Sequence, residues 1–202
     1  SVKYGVKKFI FSSTGGAIYG ENAPVPTNEA TVPCPISPYG IAKRSVEMYL
    51  DFYKKEKNLN YVSLRYGNVY GPRQDPNGEA GVVAIFSSRM IKNDEVFIFG
   101  DGEYVRDYVY VKDVVRANLL AMKENASGIY NIGTGIGTSV NELFKMLAQI
   151  TGYKRQPTYA PHREGDIRRS ILDASRANSE LGWSPTTTLV EGLAATVEFF
   201  KV

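Results

Sequence analysis

Tyr39 and Lys43 stand four residues apart in S-P-Y-G-I-A-K, downstream of the hydroxyl-rich run F-S-S-T-G-G. On a helix, residues one turn apart share a face. That would set a lysine ammonium beside a phenol and favour the phenolate. A tyrosine ionises near pH 10, so acting as a base near neutrality needs its pKa to fall by about 3, roughly 4 kcal/mol. A fixed cation is a natural source of part of that, and the chemistry suggested is proton abstraction from a substrate hydroxyl. Spacing alone does not select this pair. Y-x-x-x-K occurs four times, as Tyr4/Lys8, Tyr39/Lys43, Tyr53/Lys57 and Tyr108/Lys112. Chance supplies about one in a chain this rich in both residues.

The elements that would position each pair make the selection. Residues 8–13 (K-F-I-F-S-S) read as a buried strand ending in hydroxyls. A Gly/Pro-rich loop follows from Gly15 to Pro35. Ser37 suits an N-cap and Pro38 a first helical position, which predicts a helix to about Lys57. Its expected buried stripe is Ala42, Val46, Tyr49, Leu50 and Tyr53. Residues 60–66 read as a second strand, and the alternation indicates a parallel α/β sheet with crossover helices. Tyr39 thus falls in the first turn of a helix just past a strand end, where open α/β sheets place ligands. Tyr4 and Lys8 flank the start of the chain, Tyr53 and Lys57 lie at the far end of the same helix, and Tyr108 and Lys112 straddle a strand-to-helix boundary.

Beyond G-N-V-Y-G-P-R the character changes. Helices are expected over 81–92, 111–123, 139–152, 174–182 and 189–201, with short strands near 96–99, 105–110 and 129–132. This half reads as a smaller α/β lobe. The run I-Y-N-I-G-T-G-I-G-T-S lies between a strand and a helix, as a dinucleotide fingerprint would. Its third glycine, Gly137, comes one position early, and no acidic residue follows at the ribose-binding distance. A tight strand-to-helix turn is the better reading.

The 202 residues suffice for one good core or two small ones. Net charge is +3, without a basic block of the kind that tracks nucleic acid. No apolar run approaches the roughly 20 residues of a membrane span. Cys34 is the only cysteine and His162 the only histidine. An internal disulfide is therefore impossible, a reducing, cytoplasmic setting is expected, and an ordinary zinc site is disfavoured. A Ser-His-Asp hydrolase would have to use His162, in the polar loop A-P-H-R-E-G-D. The chain opens S-V-K-Y-G-V-K-K-F-I-F without Met, like a helix tail feeding the middle of a sheet, and a fragment is expected.

Taken in order, F-S-S-T-G-G-A-I-Y-G, S-P-Y-G-I-A-K, L-R-Y-G-N-V-Y-G-P-R, F-I-F-G-D-G-E-Y-V-R-D-Y-V-Y-V-K-D-V, Y-N-I-G-T-G, R-E-G-D and S-E-L-G-W-S-P cover nearly all of the chain. Together they resemble the extended short-chain dehydrogenase/reductases that act on nucleotide sugars. The resemblance implies an α/β fold: the C-terminal part of a Rossmann-type parallel sheet, its first strands missing, with a smaller substrate lobe. Residues 1–75 would be the remainder of the NAD-binding domain, and 76–202 mainly the nucleotide-sugar lobe, with some segments returning to the first. It implies NAD as cofactor, a UDP-sugar as substrate and a homodimer. Tyr39 would be the base and Lys43 its electrostatic partner, also holding the nicotinamide ribose. Thr14 would bond the reacting sugar hydroxyl. Ser12, Tyr66 and Gly67 would lie at the cofactor, and Asn68 and Arg106 at the diphosphate. Gly81, Val82, Phe97 and Ile98 would line the uridine pocket, with Arg163 and Asp166 at its ribose and phosphate.

Elementary chemistry agrees in part. Guanidinium groups bond phosphate oxygens bidentately, and Phe97 with Phe99 could face a flat base. Arg106 could equally pair with a nearby carboxylate, the two phenylalanines could be core, and Asn68 a turn residue. In family members that dehydrate or decarboxylate, an extra acid or base follows the threonine. Here Gly15, Gly16 and Ala17 follow Thr14, and no carboxylate appears until Glu21. The implied reaction is therefore epimerisation of a UDP-hexose at C4 through a transient 4-keto sugar. Another nucleotide-sugar epimerase, dehydratase or decarboxylase is the alternative chemistry, and a non-catalytic UDP-sugar-binding module is the alternative of a different class. The glycine-rich turn that cradles the NAD pyrophosphate is absent from these residues, so weak NAD binding by this chain alone is expected.

Overall fold

A computed structural model describes residues 1–77, 81–163 and 165–201. Three parallel strands, β1 (Lys8–Thr14), β2 (Asn60–Tyr66) and β6 (Gly128–Ile132), form a sheet in the order β1-β2-β6. Helix α1 (Pro38–Lys57) crosses from β1 to β2. Its start is set locally: Ser37 Oγ accepts from Gly40 N at 3.1 Å, and Pro38 occupies the first turn.

The two faces of this sheet are held by different chemistry. Val62, Leu64, Tyr130 and Ile132 point away from α1 into an apolar core with α3 (Val111–Ala121), Leu181 and Trp183. Trp183 is fully buried, and its indole N–H donates to Asp113 O at 2.9 Å. On the opposite face, Ser13, Ser63 and Arg65 meet Glu47 of α1 through hydrogen bonds.

The stripe expected of α1 is corrected here. Leu50 is buried and Val46 half-buried, but Ala42, Tyr49 and Tyr53 are exposed. The face turned to the sheet carries Gly40, Lys43, Glu47 and Leu50. A polar sheet face selects a polar helix face, and that leaves Ile41, Met48, Tyr49 and Phe52 outside.

A second sheet centres on β5 (Val105–Tyr110), which pairs in parallel with β3 (Asn68–Tyr70) and β9 (Arg169–Ser170) and antiparallel with β7 (Gly137–Ser139). A separate parallel ribbon joins β4 (Phe97–Phe99) to β8 (Thr158–Ala160). Helices α2 (Val82–Ile91), α4 (Val140–Thr151) and α5 (Leu189–Phe200) enclose the core of this half, with Phe86, Tyr108, Leu143, Leu147 and Leu193 among its members. Capping boxes start α4 (Ser139 with Glu142) and α5 (Thr188 with Glu191). Strands β3, β7, β8 and β9 were not expected from the sequence, and the segment 174–182 ends in a π-helical turn, Ala177–Leu181. Among the described residues no helix is long and apolar enough to cross a membrane.

Candidate active site

The C-terminal end of β1 delivers Thr14, and the first turn of α1 delivers Tyr39. Both line a cleft of about 700 Å³ between the two halves, together with Gly16, Gly67, Asn68, Arg106, Arg163 and Asp166. Glycines let these segments close up. A Cβ on Gly67 would lie 2.7 Å from Asp107 O, where the first sheet meets β5. A Cβ on Gly15 would lie 2.4 Å from Leu172 Cδ1. A Cβ on Gly16 would instead sit at the cleft, 3.3 Å from Asn68 Oδ1.

Tyr39 is 56% exposed. Behind it the Lys43 ammonium donates to Ser12 O at 2.7 Å and lies 5.6 Å from the Tyr39 ring centre and 5.0 Å from that of Phe11. The cation is thus held by the end of β1 rather than swinging in solvent. Tyr66 OH accepts from Asn118 Nδ2 at 2.9 Å and lies 3.4 Å from Ser12 Oγ. An ammonium with two further protons, a serine hydroxyl and a phenol in one neighbourhood are a donor set that fits a ribose.

Arg106 reaches the cleft from β5. Its Nη1 donates to Val105 O at 3.0 Å, and its Nη2 lies 4.0 Å from Asp166 Oδ1. A smaller cleft of about 230 Å³ adjoins, lined by Val82, Ile85, Phe86, Arg89, Phe97, Phe99 and Arg163. The Arg163 guanidinium stacks 3.9 Å above the Phe99 ring centre, and Arg89 lies 5.6 Å from that of Phe97. Arg163 lines both clefts.

The larger cleft therefore gathers Thr14, Tyr39, Gly67, Asn68, Arg106, Arg163 and Asp166, with Ser12, Lys43 and Tyr66 beside it. The smaller one takes Val82 and Phe97. Gly81 caps α2 against Gln74 and lines neither. The Ile98 side chain is 1% exposed and belongs to the core. Alternation along β4 turns Phe97 and Phe99, 37% and 39% exposed, outward and Ile98 inward. Arg89 and Gly16 were not anticipated. Arg89 lies one turn from Ile85 and Phe86 on α2, a signal of position only once the cleft is known.

Two rival readings meet geometry. The G-T-G turn after β6 spends its amides internally: Thr134 N and Gly135 N donate to the Asp107 carboxylate at 2.8 and 3.1 Å. Glu21, the first carboxylate after Thr14, accepts from Arg168 N at 2.9 Å and lines neither cleft. Among the described residues, Asp166 is the only carboxylate lining the larger cleft.

Residues 1–133 match the NAD dependent epimerase/dehydratase family. The chain belongs to that family. A UDP-glucose 4-epimerase of Mycolicibacterium smegmatis is 46% identical over 198 residues, covering 98% of this chain and 63% of the relative. The crystal structure of a UDP-glucose 4-epimerase from Thermotoga maritima with UDP-glucose is 66% identical, with a TM-score of 0.98, over 100% of this chain and 65% of that one. The Thermus thermophilus UDP-glucose 4-epimerase in complex with NAD is 45% identical, with a TM-score of 0.91, over 99% and 66%. The chain thus spans about 65% of the length of such relatives. Its three-stranded parallel sheet is part of their Rossmann-type fold.

Proposed function

We propose that this chain carries the catalytic and substrate-binding residues of an NAD-dependent UDP-hexose 4-epimerase. The observation that carries the reading is the company Tyr39 keeps. It shares a cleft with Thr14, has a fixed ammonium behind it, and among the described residues the one carboxylate lining that cleft, Asp166, lies 4.0 Å from the Arg106 guanidinium. A carbinol carbon has no acidic hydrogen, so inversion there without another acid or base needs oxidation and return. NAD, when bound, would supply the acceptor for the C4 hydride and the donor that returns it to the opposite face of the ketone.

The residues present do the rest. Tyr39 takes the proton of the sugar 4-hydroxyl, with the Lys43 ammonium held beside its ring. Thr14 hydrogen-bonds the same hydroxyl and orients it. On return, Tyr39 gives the proton back to the ketone oxygen, so protons balance over the cycle. Arg106 and Arg163 neutralise the diphosphate, and Phe99 with Phe97 receives the uracil. Lys43, Ser12 and Tyr66 fit the nicotinamide ribose. The assignment to UDP rests on the paired arginines beside an aromatic cleft, and on the UDP-glucose held by the Thermotoga enzyme.

Calorimetric titration of this chain with UDP and with NAD separately is the first test. UDP binding with weak or no NAD binding is expected, because no glycine-rich phosphate turn occurs in these residues. In the full-length protein, UDP-glucose and UDP-galactose should interconvert, and Tyr39→Phe should abolish turnover while UDP affinity stays within a few-fold. Near-normal turnover by Tyr39→Phe would remove Tyr39 from its role. UDP binding by a full-length protein without turnover would leave a binding module.

A further inference from the structure

We propose that the buried pair Glu47–Arg65 is a positioning device for the catalytic helix, setting the rotation of α1 about its own axis. The proposal rests on the reading of Tyr39 and Lys43 as base and cation.

Glu47 lies eight residues after Tyr39 and four after Lys43, so all three fall on one stripe of α1. Its side chain is 0% exposed and that of Arg65 2%. Oε1 accepts from Ser13 Oγ, Ser63 Oγ and Arg65 Nε, each at 2.9 Å. Oε2 accepts from Arg65 Nη2 at 2.6 Å and from Arg44 Nη1 at 3.3 Å. Arg44 is on α1 itself, but the other donors sit on β1 and β2, so one carboxylate ties the helix to two adjacent strands.

The chain of bonds continues away from α1. Arg65 Nη1 donates to Tyr19 OH at 2.9 Å, Tyr19 OH donates to Asn131 Oδ1 at 2.7 Å, and Asn131 Nδ2 donates to Thr27 O at 2.9 Å. Tyr19 and Thr27 belong to the loop that leads from Thr14 to Tyr39. The same group of bonds therefore fixes the strand bearing Thr14, the helix bearing Tyr39 and the loop between them.

A buried ion pair is a poor device for stability, since apolar residues of similar volume often do as well. It is a good device for direction. Apolar contacts permit a helix to roll by a fraction of a side-chain width, whereas a carboxylate held by four hydrogen bonds from the sheet does not. A roll of α1 would move Lys43 off Ser12 O and swing Tyr39 away from Thr14. Reacting groups tolerate little such displacement.

Kinetics of the full-length protein with two variants test this, each measured well below its own melting temperature so that only folded molecules are counted. Glu47→Gln turns an amide N–H toward Arg65 Nη2 and leaves the guanidinium without a counter-ion. The expected result is a fall in kcat of about tenfold or more, with KM for the UDP-hexose within about threefold. Glu47→Met/Arg65→Met replaces the pair by apolar bulk. It should recover the thermal midpoint of the unsubstituted protein while kcat stays low. A kcat that returns with the midpoint, or a Glu47→Gln variant at full rate, would overturn the proposal. Where Glu47→Gln does not fold, the double variant decides.

A second readout does not need turnover. In a ¹H–¹³C correlation spectrum, the Lys43 Cε signal, assigned with Lys43→Arg, should move in the double variant as its ammonium leaves Ser12 O. An unmoved signal counts against positioning. Absence of turnover by the unsubstituted protein would instead sink the functional reading, and the Lys43 signal would then decide the positioning claim alone.

Discussion

Lys43 is the residue on which geometry and chemistry agree most closely. One ammonium proton is committed to Ser12 O, and the charge stays beside the Tyr39 ring. The two arginines divide their work differently. Arg106 touches only the larger cleft, whereas Arg163 also stacks on Phe99. Arg106→Met should therefore weaken UDP by about 1.5–3 kcal/mol, the range for hydrogen bonds to charged groups, and leave uridine unchanged. Arg163→Met should weaken both ligands. Calorimetry with UDP and uridine on each variant checks the pattern. Equal losses of uridine in the two variants would break it.

At the scale of elements, α1 is seated by its first turn. A Cβ on Gly40 would lie 2.6 Å from Ala17 O and 2.9 Å from Pro35 Cβ. Gly40→Ala must push the helix off the loop or strain both, at a cost of about 1–3 kcal/mol, read as a lowered urea midpoint with an unchanged m-value. The start of this helix was legible because capping is local: Ser37 and Pro38 announce it. Its buried face was not. Pattern reading places charged residues outside, and Glu47 is inside only because Arg65, far away in sequence, meets it there. The strands β1 and β2 were legible, β1 from the apolar run Phe9–Phe11 and β2 from Tyr61, Val62, Leu64 and Tyr66. β3, β7 and β9 are two or three residues long, below the length at which alternation can be recognised. The inward direction of the Ile98 side chain was readable in the sequence, since a period of two puts Phe97 and Phe99 on one face and Ile98 on the other. Of the site, Thr14, Tyr39 and Lys43 were readable because strand end and helix start fix them. Arg89 and Glu47 depend on contacts between distant elements, and no local pattern encodes those.

Across the whole molecule, the polar face between α1 and the sheet makes stability depend on acid. Burial alone would raise the Glu47 carboxyl's pKa, but the hydrogen bonds and charge of Arg65, with Ser13 and Ser63, more than offset this and hold it below the ordinary range. A depressed folded pKa means stability that is complete above the unfolded value, about 4.3, and is lost as pH falls through the folded one. Urea midpoints measured between about pH 7 and pH 3 should therefore drop below about pH 4. Glu47→Met/Arg65→Met should drop less over that range. The outer face of α1 makes a second prediction. Ile41, Met48, Tyr49 and Phe52 are exposed together, an apolar stripe of the kind that marks association. We propose that a second copy covers it in the full-length protein. Sedimentation should then give a dimer, and Met48→Glu/Phe52→Glu a monomer; a dimer that survives both charges would place the contact elsewhere.

The sharing of Arg163 by two clefts has one more consequence. On the proposed reading, with the base against Phe99 and the reacting carbon at Tyr39, the two clefts joined at Arg163 would act as a gauge of the ligand's length.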